Sequence, residues 1–190
     1  MLVPSPDGRY IAAVDVANWC EKTLWVYDTQ TNSWANLGKA NVHPSAIGPG
    51  NDWDWMGSTW DPWFRDSSRL AFVSDRSIVV SSPDGKSRQE IVKAKSVIGL
   101  ATPSPDGQLI AYVTFDANVN RVQPNWTFWG NTTISVSTVI GSTPRAVTRK
   151  SPETTYNLRW LDVDTIVFDR FTENNPYSAQ HRLWKVSVGR

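Results

Sequence analysis

The sequence contains one cysteine and two histidines in 190 residues, and each shortage excludes a class of protein. The lone Cys20 cannot close an intramolecular disulfide or assemble a multi-thiolate zinc site. No run of about 18 apolar residues occurs, so no segment is long enough to cross a bilayer as a helix. Nineteen Lys plus Arg against eighteen Asp plus Glu leave a formal charge of +1. That balance lacks the basic excess with which proteins grip nucleic-acid phosphates or anionic membranes, so neither nucleic acid nor membrane insertion is expected. The opening MLVPSPDGRY has no basic stretch followed by an apolar one, as a secretory leader would. The chain reads as soluble, and a leader removed beforehand would make the same sequence periplasmic or secreted, so localisation stays open. HExxH, CxxC, P-loop and GxSxG elements are all missing, which leaves zinc peptidase, nucleotide hydrolase and elbow-type serine hydrolase chemistry without support.

What is abundant is tryptophan, at eleven residues, with twelve prolines and eleven glycines. This composition fits many turns, short strands and an aromatic core or surface. The stretch Ser5-Pro-Asp-Gly-Arg-Tyr-Ile-Ala-Ala-Val14 returns as Ser104-Pro-Asp-Gly-Gln-Leu-Ile-Ala-Tyr-Val113. Degenerate copies are Phe64-Arg-Asp-Ser-Ser-Arg-Leu-Ala-Phe-Val73 and Arg159-Trp-Leu-Asp-Val-Asp-Thr-Ile-Val-Phe168. In the unit, Pro sets φ at the first turn position, Asp bonds the backbone ahead of it, and Gly accepts positive φ before a β-prone run. The turn aspartates Asp7, Asp66, Asp106 and Asp162 therefore read as caps of strand corners, not as calcium ligands.

Each copy continues into a second β-like run: 24–27, 77–80, 133–136 and 183–186. After the first three comes a further short strand at 34–37, 89–92 and 145–148. A preceding strand is expected at 57–60, 97–102 and 156–160. The repeats, approximately 1–40, 57–93, 97–149 and 155–190, thus predict four-stranded antiparallel blades in one all-β domain, with no fourth strand in the last. Blades repeating at this spacing cannot bury both faces until neighbours stack, which is the logic of a β-propeller. SPDG followed by an apolar strand resembles the WD40-like (PD40-type) repeat of TolB-like propellers, which also occurs in propellers attached to prolyl-oligopeptidase-like peptidases. The resemblance implies a propeller architecture and does not select an activity. Four repeats are fewer than the six to eight usual in such relatives. A four-bladed ring, part of a larger propeller, and a homo-oligomer that completes the ring all remain open.

Alternating strand directions place every second-to-third-strand loop and every blade-to-blade connection on one face. The long segments 15–22, 38–56, 116–132 and 169–182 all fall there, while tight turns such as 5–8, 82–85 and 104–107 fall on the other. Long loops on a rigid scaffold carry binding residues. Those loops hold Trp19, Trp53, Trp55, Trp126, Phe128, Trp129 and Tyr177, whose flat apolar rings beside polar groups suit a sugar, another small molecule or a protein partner. Trp60 and Trp63 read instead as blade-packing residues. His43, Asp52, Asp54, Glu173 and His181 are the candidates for acid-base catalysis, although nothing in their spacing requires it. Asn125 and Asn131 head acceptor sequons, meaningful only on a eukaryotic secretory route.

No metal site and no cofactor is expected. The first expectation is a non-catalytic recognition propeller using Trp53, Trp55, Trp126 and Trp129. The alternatives are a propeller lyase, hydrolase or cyclase acting on a small organic or sugar substrate, and an accessory propeller of a peptidase.

Overall fold

A computed structural model describes residues 2–15, 23–40, 61–115, 131–171 and 182–189. The strands are β1 (Leu2–Pro4), β2 (Tyr10–Asp15), β3 (Thr23–Asp28), β4 (Ser33–Lys39), β5 (Leu70–Ser74), β6 (Ser77–Ser81) and β7 (Arg88–Lys93). They continue as β8 (Val97–Pro103), β9 (Leu109–Phe115), β10 (Thr133–Thr138), β11 (Arg145–Ala146), β12 (Thr154–Trp160), β13 (Thr165–Phe171) and β14 (Arg182–Ser187). They form four antiparallel sheets in which each strand pairs with its sequence neighbours: β1 to β4, β5 to β7, β8 to β11 and β12 to β14. We call these blades 1 to 4. In blade 2 an antiparallel bridge from Trp63 to Leu70 stands where the first strand meets β5, and the expected strand 57–60 lies outside the described residues.

The blade is built by its turn. In blade 1 the Gly8 amide donates to the Ser5 carbonyl (2.9 Å), and the Asp7 carboxylate accepts from the Ser5 hydroxyl (2.6 Å) and the Arg9 amide (3.0 Å). The Tyr10 amide then donates to the Ser5 hydroxyl at 2.9 Å, which locks the start of β2. The same bonds recur at Ser104 to Leu109. They recur once more at Ser82 to Ser87, where the motif joins the third strand of a blade to its fourth. Blade 2 makes its first turn without glycine, because Ser67 takes the left-handed conformation at φ 60°. The hydroxyl of Ser67 accepts from the Asp7 amide at 3.1 Å and ties the turns of blades 1 and 2 together.

Alternation along each second strand gives a blade two packing faces. Ala12 and Val14 of blade 1, with Leu24 and Val26, pack on Trp63, Leu70, Phe72 and Val79 of blade 2. Ala71, Val73, Ile78 and Val80 of blade 2 pack on Ile98, Ile110 and Tyr112 of blade 3. Ala111, Val113, Ile134 and Val136 of blade 3 pack on Leu158, Ile166 and Phe168 of blade 4. Each blade thus sets a trailing face of small aliphatic residues against the leading face of its successor, where an aromatic side chain fills the space. Side chains staple the seams at the periphery: Arg88 donates to the Leu37 carbonyl (2.8 Å) and Arg145 to the Gly189 carbonyl (2.7 Å).

Two features depart from the expected blade. The fourth strand of blade 3 is only two residues long, because the Thr148 hydroxyl, not a backbone group, receives the Ile134 amide at 3.0 Å. The first strands of blades 3 and 4 each carry an irregularity in register, between Ile98 and Ala101 and between Tyr156 and Arg159. Such bulges bend a strand and re-aim its side chains.

Candidate functional site

The two ends of the blade stack differ. The tight turns gather at one end, where they are closed by their own hydrogen bonds. Strands β2, β4, β9 and β13 all end at the opposite end, and the segments that follow them lie outside the described residues. Trp19, His43, Asp52, Trp53, Asp54, Trp55, Trp60, Trp126, Phe128, Trp129, Glu173, Tyr177 and His181 lie outside the described residues, as does Cys20. Trp63 is described and is buried at the seam of blades 1 and 2. Its indole N–H donates to the Val3 carbonyl at 3.0 Å and its ring stacks on Tyr10. Trp160 repeats the arrangement at the seam of blades 3 and 4, donating to the Thr102 carbonyl at 3.1 Å.

The loop-bearing end contains groups that sequence reasoning did not single out. At the end of β13, the Arg170 guanidinium lies over the Phe168 ring (5.0 Å) and near the Trp184 ring (5.9 Å). Its Nε and Nη2 are buried and have no hydrogen-bond partner among the described residues. Burial pulls the pKa of this arginine down, and the charge of Glu153 opposes that shift. Nε and Nη2 form the edge of the guanidinium that grips a carboxylate or phosphate with two parallel bonds. Beside it Thr155, opposite Arg170 in the β12–β13 ladder, shares a buried hydroxyl contact of 2.7 Å with Thr132 of blade 3. Thr132 also reaches the Glu153 carbonyl at 2.8 Å. The seam between blades 3 and 4 is therefore polar at this end and apolar below it.

Asp61 is the second such group. It lies two residues before Trp63 in blade 2, and its residue surface is open to solvent. The protein packed around it raises its pKa, while the Trp63 amide and the charge of Arg159 pull the other way. Arg159 belongs to β12, the first strand of blade 4. On the far side of the stack, at the turn end, a mostly apolar cleft of about 680 Å³ opens between Leu109, Val139, Ile140, Arg145 and Gly189.

Solved structures share this arrangement. A TolB protein from Agrobacterium tumefaciens superposes with a TM-score of 0.63 at 16% identity, over 98% of this chain and 61% of that one. The fold is a TolB-like β-propeller. An oligogalacturonate lyase in complex with manganese gives a TM-score of 0.65 at 12% identity, over 97% of this chain and 48% of the lyase. The propeller also matches an acylaminoacyl peptidase, with a TM-score of 0.60 at 16% identity, over 96% of this chain and 30% of the peptidase. The chain spans about three fifths of the TolB protein's length and less than half of the lyase. No protein-family model and no curated protein matches the sequence. A TolB protein, a lyase and a peptidase on one scaffold fit the rule that activity resides in the site and not in the fold.

Proposed function

We propose that the propeller is a recognition module that holds a ligand bearing a carboxylate at its loop-bearing end. The observation that carries this reading is the buried Nε and Nη2 edge of Arg170 without a hydrogen-bond partner among the described residues. Leaving such donors unmatched is costly, and a bound carboxylate offsets that cost with two charge-assisted bonds. The tryptophans Trp53, Trp55, Trp126 and Trp129, which lie outside the described residues, are the proposed aromatic platforms for the ligand. Two ligand classes carry the required group: acidic sugars, and peptides with a free carboxylate.

A second reading makes the same end catalytic, with a lyase, hydrolase or cyclase activity. Asp61 favours it, because a carboxyl whose pKa is raised is suited to proton transfer, and Asp52, Asp54, Glu173, His43 and His181 are further candidates. The lyase and peptidase likenesses leave room for it and for an accessory role beside a peptidase.

Tryptophan fluorescence titration with a uronic-acid oligosaccharide, its neutral counterpart and a short acidic peptide tests the proposal. Arg170→Ala is expected to abolish acidic-ligand binding while far-ultraviolet circular dichroism stays unchanged, and Trp126→Ala to weaken it. Binding that is indifferent to the carboxylate, or unaltered in Arg170→Ala, refutes the anion site. Turnover lost in Asp61→Asn with binding retained establishes the catalytic reading.

A further inference from the structure

The cleft at the turn end opens where blade 3 lacks the side chains that close the matching position of blade 1. Backbone bonds put the two blades in register. The Ser5 and Ser104 amides donate to the carbonyls of Tyr10 and Leu109, and the Thr29 and Val139 amides to those of Arg9 and Gln108. Tyr10 stands opposite Asp28 in its ladder, and Leu109 stands opposite Thr138. Leu109, Gln108 and Thr138 therefore occupy the places of Tyr10, Arg9 and Asp28.

In blade 1 those three side chains seal the seam with blade 2. Tyr10 stacks on Trp63 with ring centroids 6.0 Å apart, the Arg9 guanidinium lies 4.7 Å from the centre of the Tyr10 ring, and it pairs with Asp28 at 2.9 Å. At the seam of blades 3 and 4, Trp160 keeps the place of Trp63, donating to the Thr102 carbonyl as Trp63 donates to that of Val3. Leu109 brings no ring to lay on it, and Gln108 and Thr138 carry no charges to pair. The shorter side chains leave open the volume of about 680 Å³. Sites for small molecules span about 300–1,000 Å³.

Two groups around that volume are polar and incompletely used. Arg145 stands opposite Val136 where blade 1 has Ala35 opposite Val26. Its Nη2 donates to the Gly189 carbonyl at 2.7 Å, a neutral acceptor that orients the guanidinium without cancelling its charge. Among the described residues no carboxylate pairs with Arg145, and no acidic side chain lines the cleft. Thr138 also lines it, and the Thr138 hydroxyl is buried with no hydrogen-bond partner among the described residues. No bond there opposes its turning toward a ligand. The remaining surface is mostly apolar, with Leu109, Val139 and Ile140, the last 77% exposed.

We infer that this cleft is a binding site for small monocarboxylic acids with a hydrocarbon body. The body covers Leu109, Val139 and Ile140, the carboxylate meets the Arg145 guanidinium, and the Thr138 hydroxyl donates to its other oxygen. A lone cation beside an apolar floor also selects against an amine of the same chain length. The site is distinct from the one proposed at Arg170. Thr132, which bonds Thr155 beside Arg170, precedes β10 and Thr138 ends it, so the two sites are roughly 20 Å apart along that strand.

Titration calorimetry with octanoate, octanol and octylamine, with amide NMR shifts to locate the site, tests the inference. Octanoate is expected to bind about fivefold tighter than octanol, and octylamine weakest, with shifts centred on Leu109, Thr138, Ile140 and Gly189. Arg145→Ala, at an exposed position, is expected to lower octanoate to the affinity of octanol and to leave octanol unchanged. Thr138→Val is expected to weaken octanoate alone, and Ile140→Ser to weaken all three probes, with circular dichroism unaltered throughout. Arg170→Ala is expected to leave octanoate binding as it was. Octanoate that binds no tighter than octanol, or whose affinity survives Arg145→Ala, overturns the inference. So does octanoate binding that is lost in Arg170→Ala, because the carboxylate would then belong to the loop-bearing end.

Discussion

The indole N–H of Trp63 donates to the carbonyl of Val3 across 60 residues of sequence, so blade 2 holds the first strand of blade 1 by a side chain. The ring is 3% exposed and packs among Leu70, Ala12 and Val14, which makes this one residue both a core filler and a seam staple. Trp63→Ala should destabilise the fold by about 3–5 kcal/mol, through the lost packing and the cavity left behind. Trp63→Phe should cost less, since it keeps much of the ring volume and loses chiefly the hydrogen bond, worth about 1 kcal/mol. Urea denaturation of the two variants would separate these contributions. Equal losses would show that the Val3 bond, not the ring, holds the seam.

The turn glycines offer a test of strain against crowding. Gly8 has φ 73° and open space around the position of an added methyl. Gly8→Ala should therefore carry only the backbone penalty of the left-handed region, about 1–2 kcal/mol. Gly85 has the same φ, but an added Cβ would lie 2.9 Å from Leu37 Cδ2. Leu37 is buried in the seam of blades 1 and 2, so Gly85→Ala should melt lower than Gly8→Ala. Differential scanning calorimetry on the pair gives the comparison directly.

Acid should act most through two of the aspartates held below the usual carboxylate range. Asp28 is held at about 2 by the Arg9 guanidinium, at 2.9 Å, and by the Gln30 and Thr31 amides. Asp84 is likewise held at about 2, first by the Ser82 hydroxyl and then by the Lys86 amide. A carboxylate whose pKa is lower in the folded state stabilises above its unfolded pKa, near 3.9, and loses that contribution as pH falls through the folded value. Melting temperature should therefore fall between about pH 4 and pH 2, with a shallower slope in Asp28→Asn. An unchanged slope in that variant would remove Asp28 from the account.

The Thr132–Thr155 contact should behave as a coupled pair. Both hydroxyls are buried, so Thr132→Val leaves the Thr155 hydroxyl without its partner and should cost about 1–3 kcal/mol. Adding Thr155→Val to that variant should recover part of the loss, because the orphaned hydroxyl goes with it. A double-mutant cycle by chemical denaturation reads the coupling. Additive losses would show that the two hydroxyls do not depend on each other.

Much of the architecture could be read from the residues. The SPDG turn has one low-energy solution, so the strands after Gly8 and Gly107 fall where the repeat places them. Trp63 lies beside a strand corner, and its burial follows from the need to fill the seam. Other features were not legible, because they depend on groups distant in sequence. Ser67 adopts the glycine conformation while bonded to Asp7 of another blade. The register irregularities after Ile98 and Tyr156 fall at Gly99 and Asn157, residue types that mark a bulge inside a strand, but neither residue says where its side chains are re-aimed. Arg170 looks like an ordinary strand cation until its neighbours Phe168 and Trp184 are placed around it. The aromatic loop residues were chosen by their chemistry alone, and they lie outside the described residues.

The three packing clusters each join adjacent blades, and each buried side chain in them serves one boundary. Cooperativity is then passed along a line, as in a row of coupled spins, and not shared around a common centre. Among the described residues, blades 2 and 3 are clamped on both sides, whereas blades 1 and 4 each have a single clamped side. Amide hydrogen exchange should consequently be slowest in β5, β6, β9 and β10 and quicken toward both ends, so that the protein frays from its outer blades before its middle gives way.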